Sequence, residues 1–155
     1  LYRFADNNRA LAMAPVTETH DHLVLASLPK LIAINSALEA DLTGQVSAEV
    51  ADGAYIGTVG GQVDFVRGAM ASPGGRSIIA FPSRTGRGKS RIVARIASGV
   101  VTTARSDADL IITEYGAAEL RGAGLAERTR RMIAIAHPED REALEREARE
   151  VVAGI

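Results

Sequence analysis

The chain has 155 residues, 46% of them hydrophobic and 24% charged, with a formal net charge of -1. This is the balance of one globular domain large enough to bury a core, and with no overall basic excess it does not suggest a nucleic-acid-binding protein. The lack of cysteine excludes disulfides, thiolate metal sites and a cysteine nucleophile, and neither a long apolar run nor a charged-then-apolar leader is present, so no membrane partner and a cytoplasmic location are expected.

In chain order, residues 1–15 read as a turn-rich entry with Asp6, Asn7 and Asn8 as turn formers. Opening on Leu1 and not on methionine, the chain reads as a piece of a longer protein. His20, Asp21 and His22 place two imidazoles on one side of an extended segment. No further ligand follows at metal spacing, so a solvated loop is expected there.

Residues 31–37 form a near-continuous apolar run interrupted by Asn35, as in a strand buried on both faces. The Asn35 amide must then be satisfied, by backbone or by a ligand. Residues 41–44 read as a turn and residues 45–50 as a second strand.

The stretch GTVGGQVDFVRG (57–68) sets Gly57, Gly60 and Gly61 within five positions, then Asp64, Phe65 and Gly68. Glycine serves where φ must be positive or where backbone approaches a ligand closely, so this is a candidate binding loop. The alternative is a plain strand-to-helix turn, because the run matches neither the dinucleotide pattern nor the P-loop. Residues 64–70 suit the first turns of a helix, and backbone N–H groups on a loop feeding a helix form an anion site.

Residues 77–81 predict another buried strand, ended by Pro82. Gly88-Lys89-Ser90 ends like a P-loop, but that pattern requires glycine where Ser83 stands, and β-branched Ile92 and Val93 follow. Arg84, Arg87, Lys89, Arg91 and Arg95 form a basic cluster without acids. It is read as a solvated loop or as a site for phosphates; nucleic acid is the weaker reading, since no aromatic residues interleave.

Residues 110–113 predict a strand with Glu114 at its end, either as an acid/base group or as the cap of the next helix. Residues 117–120 read as a helical turn and residues 125–136 as an amphipathic helix. His137-Pro138-Glu139-Asp140 reads as a stop and restart, with His137 capping or packing. Leu144, Ala148, Val151 and Val152 give the apolar stripe of a last helix. Apolar strands separated by helices predict an α/β sandwich with a largely parallel sheet.

Taken together and in this order, LIAINSALEADLTGQVSAEV (31–50), the glycine loop, GGRSIIAFPS (74–83), SRIV, VTTARSDADLIITEYGAAELRG (101–122) and IAIAHPEDRE (133–142) resemble the C-terminal half of the acetyl-CoA hydrolase and CoA-transferase family, which includes 4-hydroxybutyrate and butyrate:acetate CoA-transferases. The resemblance implies an open three-layer α/β/α sandwich of the CoA-transferase/NagB-like kind. Residues 1–22 would be the end of an inter-domain linker and residues 23–155 the C-terminal domain. By the same resemblance Asn35 lies beside a bound CoA thioester, the Gly61 N–H faces the oxyanion, and Gly60 supplies conformational freedom. Gln62 and Lys89 join these in binding CoA, while Glu114 shapes the pocket without being the nucleophile.

The implied reaction moves CoA from an acyl-CoA to a short-chain carboxylate through a glutamyl-CoA intermediate. The nucleophilic glutamate would lie upstream of these residues, so the chain alone is expected to turn nothing over. Coenzyme A is then substrate and covalent intermediate, with no metal, and the partners are an N-terminal domain and, optionally, further copies of the chain. A short-chain acyl-CoA hydrolase and a non-catalytic CoA-binding domain are the alternatives.

Overall fold

The computed structural model describes residues 1–153, with side chains as far as Arg149 in the last helix. The chain begins with three short helices, α1 (Tyr2–Ala5), α2 (Val16–Thr19) and α3 (His22–Ser27). Strands β1 (Ile32–Asn35), β2 (Glu39–Asp41), β3 (Val46–Ser47), β4 (Val50–Ala51) and β5 (Ala54–Tyr55) precede helix α4 (Gln62–Ala71). Then come β6 (Arg76–Ala80), β7 (Ile92–Val93), a 3-10 turn (Arg105–Asp107), β8 (Leu110–Thr113), β9 (Gly116–Glu119), α5 (Leu125–Ala134) and α6 (Pro138–Ala153).

The main sheet has the order β1-β6-β8-β9, parallel except for β9, which returns beside β8 as a hairpin. The expected α/β class and largely parallel sheet are therefore what the chain adopts. The segment between β1 and α4 supplies the hairpin β4-β5 and, with β7 from beyond β6, a smaller sheet of order β3-β2-β7.

Register explains the core. Asn35, Ile79, Ile111 and Ala118 share one row on one face, and Ile79, Ile111 and Ala118 sit in a cluster with Val66, Leu120, Met132 and Leu144. Strand side chains alternate, so the next row, through Ile34, Ile78 and Leu110, points the other way. There Ile34 is 69% exposed and Ile32, on the same face, 48%.

Four expectations change. The apolar run at residues 31–37 is not buried on both faces: β1 is the edge of the sheet, and only its Ala33 is fully buried. Residues 45–50 are not one strand, because β3 and β4 join different sheets. Residues 117–120 are not helical. Alanine and glutamate favour helix in isolation, but pairing with β8 and burial of Ala118 and Leu120 outweigh that preference. The entry is more helical than expected, with α1 and α2 inside residues 1–22. In α6, Leu144 and Ala148 are buried as expected; the side chains of Val151 and Val152 lie outside those described.

Buried polar groups pin the elements together. Asp109, 1% exposed, accepts from the Ser77 N–H at 3.1 Å and from Arg76 at 3.3 Å, tying β6 to the start of β8. Arg128 on α5 donates to the carbonyls of Ala123, Thr43 and Arg105, joining α5 to the smaller sheet and the 3-10 turn. Burial holds its guanidinium below the usual arginine range.

Candidate active site

Parallel strands place their C-terminal ends on one edge, where open α/β sheets bind ligands. Here that edge carries Asn35 at the end of β1, Ser83 just beyond β6 and Glu114 immediately after β8. Helix α4 ends four residues before β6 begins, so it runs back from the same edge. Its ten residues span about 15 Å, enough to bring the glycine loop there as well.

In that loop the two central glycines do different work. Gly60 has φ +53, in the left-handed region that glycine adopts cheaply. Gly61 is the N-cap of α4 with an ordinary φ of -91, so its backbone does not call for glycine and only the space around it can. A Cβ built there would collide with the His20 ring, which lies edge-on to Phe65 at 5.0 Å between centroids. Among the described residues the Gly60 and Gly61 N–H groups have no protein hydrogen-bond partner.

The His20-Asp21-His22 segment is therefore more than a solvated loop. Asp21 caps α3, accepting from the N–H groups of Leu23 at 2.8 Å and Val24 at 3.0 Å. His20 is half-buried over the glycine loop, with its Nδ1 2.9 Å from the Thr19 hydroxyl.

Glu114 accepts two bonds from one residue, the Ser83 hydroxyl at 2.7 Å and the Ser83 N–H at 2.8 Å. These bonds stabilise the charged form and hold its carboxyl below the usual glutamate range. Of the two readings left open for Glu114, the helix cap falls away, since β9, not a helix, follows it. Ser83, noted in the sequence only for spoiling a P-loop, is its anchor. No helix follows residues 83–90 either: they form a loop closed by a bridge between Arg84 and Ser90 and lead into β7.

The remaining candidates have partners of their own. The Gln62 amide donates to the Thr103 hydroxyl at 3.1 Å, and Lys89 pairs with Asp52 at 3.1 Å. Asn35 is half-buried and its side chain makes no hydrogen bond among the described residues. The basic cluster is only partly free. Arg84 forms a two-pronged pair with Asp140, at 2.5 and 2.9 Å, and reaches Glu139 at 2.6 Å. Arg91 donates to the Ala37 carbonyl at 3.4 Å. Arg87 and Arg95 have no ion-pair partner among the described residues. His137, expected to cap or pack, does both: its Nδ1 accepts from the Glu139 N–H at 3.3 Å, and its ring stands edge-on to Tyr115 at 5.4 Å.

Between residues Leu38 and Glu39, the β4-β5 hairpin and the 85–91 loop lies a cavity of about 770 Å³. It has the size of a small-ligand site. Lys89 stands on its wall. Glu39, also there, has its carboxyl pushed above the usual range by burial, against the pull of Lys89.

A parallel sheet edge carrying a glycine loop with free N–H groups and an anchored carboxylate defines an α/β domain suited to binding an anionic or carbonyl-bearing ligand. The chain belongs to the acetyl-CoA hydrolase/transferase C-terminal domain family, matched over residues 1–148. It is 45% identical over 146 residues to the 4-hydroxybutyrate coenzyme A transferase of Clostridium kluyveri, covering 93% of this chain and 34% of that protein. Against the butyryl-CoA:acetate CoA-transferase of Anaerostipes caccae it is 39% identical, covering 96% of this chain and 34% of that one. The crystal structure of RipA from Yersinia pestis superposes with a TM-score of 0.91 at 42% identity, over 97% of this chain and 34% of that chain. The chain thus spans about a third of the length of these relatives.

Proposed function

We propose that this chain is the C-terminal domain of an acyl-CoA:carboxylate CoA-transferase working through a glutamyl-CoA intermediate. The observation that carries the reading is the convergence of Asn35, the Gly60-Gly61 loop and the Ser83-anchored Glu114 on one edge of the sheet. Transferase names on the similar proteins support it.

A glutamate carboxylate outside these residues attacks the thioester carbonyl, and the resulting oxyanion accepts from the Gly61 N–H. Collapse expels the CoA thiolate and leaves an acyl-glutamyl anhydride. The thiolate attacks the glutamyl carbonyl, releasing the first carboxylate and forming the glutamyl-CoA thioester. An acceptor carboxylate reverses the sequence and leaves as a new acyl-CoA. In this scheme Asn35 donates beside the thioester and Glu114, ionised, shapes the pocket. Gln62 lies along the bound CoA and Lys89 meets its phosphates. The hydrolase alternative differs only in letting water reach the anhydride.

The test is CoA exchange between acetyl-CoA and butyrate by the full-length protein that carries this domain. Gly61→Val keeps the N–H, but its Cβ meets the His20 ring and displaces the donor, so kcat/KM should fall by up to about 10²-fold, the usual cost of losing one oxyanion donor. An unchanged rate, with the variant folded by circular dichroism, overturns the role of Gly61. Acetyl-CoA consumption at the same speed without butyrate would establish the hydrolase.

A further inference from the structure

In the cavity between the β4-β5 hairpin and the 85–91 loop the Lys89 ammonium is already occupied. Asp52 Oδ1 lies 3.1 Å from Lys89 Nζ, and both side chains are well exposed, at 76% and 65%. The carboxylate is held there by backbone: Asp52 and Gly53 have φ +49 and +79, the paired left-handed conformation of a two-residue hairpin turn, with Ala51 opposite Ala54. The hairpin and the 85–91 loop are far apart in sequence, so the ion pair bridges two walls of the cavity.

A second carboxylate, Glu39, stands close enough for Lys89 to pull its pKa down, yet it makes no hydrogen bond among the described residues. Val50 and Ile56 supply apolar wall. Lys89 thus faces two acids, and Asp52, the one that holds it, is the more exposed.

The geometry points to Asp52 as an affinity-setting residue: its carboxylate stands in for an anion on Lys89 and competes with the phosphate of an incoming ligand for that ammonium. This rests on the reading that the cavity receives the phosphate end of CoA. A solvent-exposed pair between flexible side chains is weak, so a phosphate group, with more charge and more acceptor oxygens, displaces it readily. A neutral ligand gains nothing by breaking it, and a single carboxylate only exchanges like for like. Asp52 then lowers the affinity of phosphate ligands by the small worth of that pair and leaves ligands without phosphate untouched.

The test is calorimetric titration of the full-length protein with CoA, adenosine 3′,5′-bisphosphate and pantetheine, in wild type, Asp52→Asn, Lys89→Ala and the double variant. Asparagine accepts positive φ as aspartate does, so the hairpin is kept. Asp52→Asn should tighten both phosphate ligands about two- to five-fold, the range of an exposed ion pair, and leave pantetheine unchanged. In the Lys89→Ala background the gain should vanish. Unchanged affinity for the phosphate ligands in Asp52→Asn, an equal shift for pantetheine, or a gain that survives Lys89→Ala overturns the proposal while leaving CoA binding in place. Failure of wild type to bind either phosphate ligand overturns the underlying reading together with it.

Discussion

At the scale of single residues, the chemistry of this domain depends on who holds each charge. Glu127 on α5 accepts from Arg130 and Arg131, three and four residues along the helix, at 2.5 to 2.8 Å. These bonds pull its carboxyl down to about 2. A depressed carboxylate contributes stability that is present above its unfolded value of 4.5 and is lost as pH falls through the folded one. Wild type should therefore lose urea resistance between pH 4.5 and about 2 more steeply than Glu127→Gln, the two converging at the acid end. Parallel curves through that window would show that the pair contributes nothing. The spacing of these residues was legible in the sequence. The pairing of Lys89 with Asp52 and of Arg84 with Asp140 was not, since 37 and 56 positions separate the partners.

At the scale of elements, the sheet is built from short strands whose ends are fixed by polar side chains. Asp109 is the clearest case, because it joins β6 to β8 at the edge opposite the site. Asp109→Ala should cost about 2 to 3 kcal/mol, chiefly by leaving the buried Ser77 N–H unpaired, read as a lower urea midpoint. A change below about 0.5 kcal/mol would mean that the N–H finds another partner. Strands β6 and β8 and helix α5 could be read from apolar runs and helical spacing. β9 could not, because GAAE carries helix-forming residues and its extension is imposed by the neighbouring strand. β1 was misread for a related reason: an apolar run says that a strand is apolar, not which of its faces is covered. Glu114 and Gly61 were visible as residue types at an element's end and start. Ser83 and His20 were not, since their roles arise only when β6 is set beside β8 and the α2-α3 corner beside α4.

At the scale of the molecule, one face of the main sheet is packed and the other carries exposed Ile32 and Ile34. Leu1, Tyr2, Met13 and Leu23 add exposed apolar side chains along the first helices and the segment between them. Patches of this kind mark surfaces that other protein covers. If the glutamate nucleophile and this cover belong to a preceding domain, the 155-residue chain alone should show no CoA transfer and should self-associate as concentration rises. Assays of acetyl-CoA:butyrate exchange and sedimentation velocity check the two halves. Turnover by the isolated chain, abolished by replacing one of its own carboxylates, would place the nucleophile inside it.

The sequence by itself determined the family, the α/β class, the glycine loop and the position of Glu114, because these are written in local order: apolar runs, glycine spacing and blocks of matching residues. Tertiary structure alone decided which face of β1 is covered, what a side chain at position 61 would meet, what anchors Glu114 and which acid holds Lys89. Each of those depends on contacts between segments distant in the chain, set by strand register and helix packing. Neither leaves a periodic mark in the amino-acid order.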